Sequence, residues 1–244
     1  MKENAYDNDS FFEKYSRMTR SEKGLEGAGE WPALKRLLPD FRGKRVLDMG
    51  CGYGWHCAYA AGQGAEHVLG IDLSEKMLAC ARTINAAPQI AYRRCAIEDL
   101  SFTAESFDAV ISSLVLHYVE SFPDVARKAA AWLTRGGAFV FSVEHPIFTA
   151  EGPQEWQLNE RGERMYWPVD RYFEEGVRQA VCLGEHVTKY HKTLATYLNG
   201  LLDAGFEIVR VCEPVPEEEL LAADPDARDE LRRPQMLLIA ARKK

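Results

Sequence analysis

The sequence predicts an α/β fold: a doubly wound, mostly parallel sheet of seven strands with helices on both faces and an insertion after the fifth strand. Three observations carry that expectation. From residue 44 onward, short apolar runs alternate with amphipathic helical segments, the pattern of a parallel sheet covered on both sides. The first apolar run ends in Gly50-x-Gly52-x-Gly54, a tight strand-to-helix turn. The chain's 244 residues, 46% apolar and 27% charged, are enough for one large domain with a sizeable core.

Residues 1–43 read as a helical N-terminal cap. Phe11, Phe12, Tyr15 and Met18 fall at helical spacing, and Pro32 suits the first turn of a helix running to Leu38. Strands follow at 45–49, 67–71, 90–93, 109–113 and 138–143, with helices near 54–62, 74–86 and 121–134. Ser74 is placed to cap the second of these helices, whose Met77, Leu78, Ala81 and Ile84 share one face. Gly136-Gly137 suits a left-handed C-cap for the third. The stretch 145–192 breaks the rhythm. It holds Phe148, Trp156, Tyr166, Trp167, Tyr172, Phe173 and Tyr190 with three of the six histidines, and connections this long are usually functional or structured on their own. A helix at 193–204 and strands at 206–212 and 236–241 complete the expected main domain, 44–244.

The glycine turn, Val46-Leu47-Asp48-Met49-Gly50-Cys51-Gly52-Tyr53-Gly54, lets a ligand approach the main chain, and the helix after it offers free N–H groups. Asp72 lies 22 residues after Gly50, at the end of the second strand, where an acid accepts hydrogen bonds from ribose hydroxyls. Together they indicate an adenosine-containing ligand. A dinucleotide site wants Gly-x-Gly-x-x-Gly, whereas the third glycine here comes one place early. Asp48, just before the turn, repels a pyrophosphate and attracts an ammonium group. Adenosine at one end and a cationic amine at the other describe S-adenosylmethionine.

On these residues the chain resembles the class I S-adenosylmethionine-dependent methyltransferases, specifically the methyltransferase type 11 domain, over roughly residues 44–144. The resemblance rests on VLDMGCGYG at 46–54, GIDLSEKML at 70–78, CAIEDLSF at 95–102, and FDAVISSLVLHYV followed by LTRGGAFVFS. It implies a Rossmann-like fold and in-line displacement of the sulfonium methyl. It also implies that Gly50, Gly52 and Gly54 line the methionine part, that Asp48 helps hold its amine, and that Asp72 takes the ribose. Leu73 would pack on the adenine, the backbone of Ile97 and side chain of Glu98 would meet its edge, and the main chain near Ser113 and Leu114 would border the methionine. The family often has an acid where this chain has Ala96.

Other candidates have two readings each. Tyr15 and Arg20 close over the ligand from the N-terminal helix, or Tyr15 belongs to a core face. Trp55 and His56 reach the ligand carboxylate, or serve only as first-turn residues. His117, beyond the fourth strand, and His145, after the fifth in Glu144-His145-Pro146, are candidate bases, since an imidazole near neutral pKa suits proton removal. His186 and His191 are five apart, which is not a helical metal spacing, and no Cys/His cluster supports a metal site.

Composition narrows partners and compartment. Six cysteines without a C-x-x-C pair read as reduced thiols of a cytoplasmic protein. A polar N-terminus and the lack of a long apolar run predict neither a secretory signal nor a membrane partner. The window 213–230 has eight acids and one base, so it holds the whole net charge of −7; it reads as a solvated loop or helix face. The remaining charges balance, and no basic stripe favours a nucleic-acid partner. A homo-oligomer is compatible with the sequence but not indicated by it. The expectation is a methyltransferase acting on a small-molecule acceptor bound by 145–192. RNA- or protein-directed methylation and a non-catalytic cofactor-binding interaction protein are the alternatives.

Overall fold

The computed structural model describes residues 4–216, 218–223 and 225–244. Its N-terminal cap carries helices α1 (Asp9–Ser16), α2 (Thr19–Glu22) and α3 (Trp31–Leu37). The Asn8 side chain caps α1 by accepting the Phe11 N–H, and Pro32 lies in the first turn of α3. The apolar spacing that suggested one helix from Phe11 to Met18 is cut short, because α1 stops at Ser16 and Met18 begins the next turn.

The central sheet is built from β1 (Arg45–Met49), α4 (Trp55–Gly62), β2 (His67–Asp72), α5 (Glu75–Ile84), β3 (Ile90–Arg94), β4 (Phe107–Ser113), α6 (Phe122–Trp132) and β5 (Leu133–Glu144). After the insertion come α8 (Leu194–Asp203), β10 (Phe206–Cys212), α9 (Glu218–Ala223) and β11 (Met236–Lys243). The strands lie in the order β10-β11-β5-β4-β1-β2-β3, all parallel except β11. Strand periodicity divides the core. Leu47, Met49, Phe139 and Phe141 face one layer with α6 and α8, while Val46, Val68 and Val140 face the other with α3 and α4. Both faces are buried, which is why these strands read as continuous apolar runs.

One expected cap is corrected. Helix α6 ends at Trp132, Leu133 is already extended, and Gly136, with φ at 77°, sits in a bend within β5 rather than closing the helix. The chain turns at Leu133 because that side chain is fully buried in the core, which fixes the exit before the glycines are reached.

The insertion is α7 (Pro146–Thr149) followed by two antiparallel ribbons, β6 (Gln157–Leu158) with β7 (Arg164–Tyr166), and β8 (Gly176–Cys182) with β9 (Glu185–His191). In the second ribbon Leu183 and Gly184, both at positive φ, form the two-residue turn that matches strand twist. Its inner face buries Arg178 and Ala180 from one strand and Val187, Lys189 and His191 from the other. The Arg178 guanidinium donates to the carbonyls of Ala150, Arg171 and Glu174, so a buried cation is matched by backbone oxygens. The first ribbon is pinned by Arg233, whose guanidinium lies 4.3 Å from the Trp167 ring and 4.8 Å from Phe148.

The acidic window is less solvated than expected. Glu213 meets His145, Asp229 pairs with Arg164 and Arg232, and Glu230 pairs with Arg233. Glu217 and Asp224 lie outside the described residues, as do the side chains of Glu219 and Asp226.

Candidate active site

A cleft of about 560 Å³ runs along the C-terminal ends of β1, β2, β4 and β5. Topology puts it there. The chain winds outward from β1 to β3, then returns to β4 on the other side of β1, and open α/β sheets bind ligands at such a switch. The cap covers it with Tyr6, Tyr15 and Arg20; the insertion covers it with Phe148, Gln154, Cys182 and Lys189.

Of the residues singled out in the sequence, Gly50, Gly52, Asp72, Leu73, Ile97, Glu98, Leu114, Tyr15, Arg20 and His117 all line this cleft. Asp72 Oδ2 accepts the Gly52 N–H at 2.8 Å and Oδ1 accepts the Ser74 N–H at 2.9 Å. Each oxygen keeps a second lone pair, so the carboxyl can hold the glycine turn and still accept two hydroxyls. Burial pushes its pKa up, against the pull of those N–H groups. A Cβ at Gly52 would meet nothing within 4 Å, so this part of the turn is open main chain facing the cleft. Leu114 has φ at 55°, a conformation that costs an L-residue about 1–2 kcal/mol. Its N–H is held by the Ser142 carbonyl and hydroxyl, which turns the end of β4 along the cleft wall.

Three expected residues stand elsewhere. Gly54 is not on the cleft; it caps α4 at φ 77°, and a Cβ there would come within 2.2 Å of the Tyr92 hydroxyl. Asp48 is 1% exposed and lies behind the turn, where the Cys57 thiol donates to Oδ2 at 3.3 Å and burial pushes its pKa up to about 7. Strand alternation explains the position: Met49 and Leu47 point to one layer and Asp48 to the other, away from the ligand. His145 is buried with Nε2 2.8 Å from Glu213, while Nδ1 accepts the Ile147 N–H. It anchors the start of α7 and does not line the cleft. Trp55 and His56 are also absent from the lining; His56 packs on Trp31, and burial pulls its pKa down to about 4.

His117 reaches the cleft, but as a donor. It is 2% exposed, Nδ1 accepts the Glu144 N–H at 3.4 Å, and burial pulls its pKa down to about 4. A neutral ring accepting at Nδ1 carries its proton on Nε2, so it presents an N–H rather than a lone pair. That arrangement does not suit the general base that the sequence suggested.

Four groups escaped sequence reading. Glu30, 2% exposed, pairs through Oε1 with Arg20, and the Ser113 hydroxyl lies 3.4 Å from the same oxygen. Its Oε2 is buried without a partner among the described residues. At the other end, Lys189 donates to Glu144 Oε1 at 2.6 Å and to Gln154 Oε1 at 2.8 Å, and the Gln154 amide donates to Glu144 Oε2 at 2.8 Å. Burial alone would raise the Glu144 carboxyl; the positive charge that His117 takes up only in acid, the Lys189 ammonium and the hydrogen bonds from Lys189 and Gln154 hold it below the usual range. Only a strand reading of 185–191, with its alternation Val187, Lys189, His191, could have flagged Lys189. Among the described residues no group of three His, Cys, Asp or Glu side chains could hold a metal, and no helix is long and apolar enough to cross a membrane.

The chain matches the methyltransferase domain family over residues 47–141. The solved structure of an S-adenosylmethionine-dependent methyltransferase from Mesorhizobium loti is 45% identical with a TM-score of 0.84, over 90% of this chain and 100% of that one. A Listeria monocytogenes structure assigned to the same class is 52% identical with a TM-score of 0.86, over 91% and 99%. The tRNA U34 carboxymethyltransferase of Hahella chejuensis is 35% identical over 187 residues, 75% of this chain and 51% of that protein. Ubiquinone biosynthesis O-methyltransferases match over a similar part of their length, so the chain spans about half of these relatives of named substrate. The chain belongs to the class I S-adenosylmethionine-dependent methyltransferases. Its cofactor is S-adenosylmethionine, and the open main chain at Gly52 and the unpartnered Glu30 oxygen fit a zwitterionic nucleoside.

Proposed function

We propose that this methyltransferase acts on a small-molecule acceptor held between the insertion and the sheet. The observation that carries the reading is that the cleft is continuous from the glycine turn to Phe148, Gln154 and Lys189, with the cap and the second ribbon covering it. A roofed cleft of about 560 Å³ is of small-molecule size, and the net charge of −7 offers no track for a polyanion.

On this reading Asp72 takes the ribose hydroxyls, and Leu73, Ile97 and Glu98 border the adenine. Gly50 and Gly52 run beside the amino-acid part. Arg20 receives its carboxylate and Glu30, rather than the distant Asp48, its ammonium. Bound there, the cofactor supplies an electrophilic methyl group. The chain's own work is to align the acceptor with it and exclude water, which Tyr6, Tyr15 and Tyr118 do as an aromatic wall.

Incubation with methyl-labelled cofactor and a metabolite extract tests the reading. A labelled product of low molecular weight is the expected result. The tRNA-modifying relative supports a second reading, and label recovered only in nuclease-sensitive RNA would establish it instead.

A further inference from the structure

The acceptor end of the cleft offers unused donors, and its one carboxylate, Glu144, is tied to Lys189 and Gln154. Lys189 is 3% exposed, yet it lines the cleft. Two of its three N–H bonds go to Glu144 and Gln154, and none of the hydrogen bonds among described residues uses the third. His117 beside it points a protonated Nε2 with no protein partner among the described residues. The acceptors in the network, both Glu144 oxygens and the Gln154 oxygen, each already take one hydrogen bond from it, and a carboxyl held below the usual range by those partners is a weak proton acceptor. Phe148, Val181, Leu183 and Met236 add apolar wall around these groups. A buried ammonium with an unused N–H is an unfinished interaction, and an anionic oxygen completes it best.

Building on the small-acceptor reading above, we propose that the acceptor is an acidic hydroxyl compound, a phenol or enol, bound as its oxyanion with the charged oxygen on Lys189 and His117 Nε2. This explains how methyl transfer proceeds with neither histidine placed as a base. The hydroxyl loses its proton to solvent on binding. Its oxygen then forms the O–C bond as the S–C bond breaks, and that bond's electron pair returns to sulfur. An anion and a sulfonium become a neutral ether and a neutral thioether. The ether no longer attracts Lys189, so product leaves more readily than acceptor.

The probe is 4-nitrophenol, whose ionised form is read by its visible absorbance, titrated into protein saturated with S-adenosylhomocysteine. The site should lower its pKa by about one unit or more. Lys189→Met should remove that shift and weaken phenolate binding about 10- to 150-fold, the range for one hydrogen bond to a charged group. Glu144→Gln should act in the opposite direction, since it leaves the ammonium without its counter-charge, and should lower the probe's pKa further. The neutral methyl ether, 4-nitroanisole, should bind all three proteins alike. Calorimetry with S-adenosylhomocysteine reports separately on the cofactor half. If wild-type protein fails to bind it, the cofactor assignment falls rather than this proposal. If Lys189→Met fails to bind it, Lys189→Arg replaces that variant and should keep the shift. An unshifted or unbound probe on wild-type protein would overturn the proposal. So would equal phenolate binding by Lys189→Met, or a Glu144→Gln loss matching the Lys189→Met loss, which would mark a purely structural ion pair.

Discussion

At the scale of single residues, the acids proposed for the ligand's two ends differ in how visible they were. Asp72 could be read because its spacing from the glycine turn is local to one βαβ unit. Glu30 could not, because it meets Ser113 across 83 positions and only the docked cap brings it to the sheet. Glu30→Gln should weaken S-adenosylhomocysteine about 10- to 150-fold in calorimetry, the range for a hydrogen bond to a charged group. Methylthioadenosine, which lacks the amino-acid end, should bind both proteins alike; a parallel loss would show that Glu30 only supports the fold. Asp48 was read correctly as a strand-end acid, but alternation turns it into the core. Its folded pKa of about 7 exceeds the ordinary 3.8, so the folded state keeps a proton that the unfolded chain releases. That stabilisation is complete below the ordinary value and is lost as pH rises through 7. Asp48→Asn should therefore stabilise the protein more at pH 8 than at pH 5, by roughly 1–4 kcal/mol in denaturant titration. His117 and His56, held low at about 4, act with the opposite sign, losing their contribution as pH falls below 6.5. An Asp48→Asn gain that does not change with pH would show that Asp48 is not buried as an acid.

At the scale of elements, the strands and helices of the sheet were legible because each is a local pattern buried on both faces. The insertion was legible only as a break in rhythm. Its ribbons are short, and their inner faces carry Arg178, Lys189 and His191 where a strand reading expects apolar residues. Those polar groups are tolerated because carbonyls and side chains brought from other elements satisfy them. A comparable device helps to hold the cap. Asp7 accepts the Ser74 hydroxyl at 2.6 Å and the Lys76 N–H at 3.2 Å, at the N-terminus of α5, and Arg94 lies 3.4 Å away. The acid complements the helix dipole there. Partial burial opposes ionisation, but the hydrogen bonds from Ser74, Asn4 and Lys76 hold its carboxyl below the usual range. Asp7→Ala should loosen the cap over the cofactor half while leaving the sheet intact. Affinity for S-adenosylhomocysteine should fall about tenfold, in line with one or two partly exposed charged hydrogen bonds. Hydrogen exchange should quicken in α1 and stay unchanged in β1 and β4; unchanged exchange in α1 would show that other contacts seat the cap.

At the scale of the molecule, sheet, cap and insertion each contribute to one cleft, so a ligand bound there couples all three. A ligand that binds only the folded protein adds about 2.7 kcal/mol when present at about 100 times its dissociation constant. For a chain of 244 residues that corresponds to a melting shift of roughly 5–10 °C. S-adenosylmethionine and S-adenosylhomocysteine should both produce it. NAD should not, and the structure changes the reason. The sequence attributed the exclusion of a pyrophosphate to Asp48, which lies behind the turn with its thiol partner. On the proposed reading the acid facing the amino-acid end of the cleft is Glu30; a pyrophosphate there would meet its unpartnered Oε2, and the one cation beside it, Arg20, is already neutralised by Glu30 Oε1. The early third glycine adds to this, because Gly54 caps α4 away from the cleft, where a side chain would collide with Tyr92, and does not open the main chain to a second phosphate. Glu30→Gln should consequently relax the discrimination: the shift with S-adenosylhomocysteine shrinks and a small shift with NAD emerges in the same thermal scan. A shift with NAD on the wild-type protein as large as that with S-adenosylmethionine would overturn the division of the cleft argued from Asp72 and Glu30.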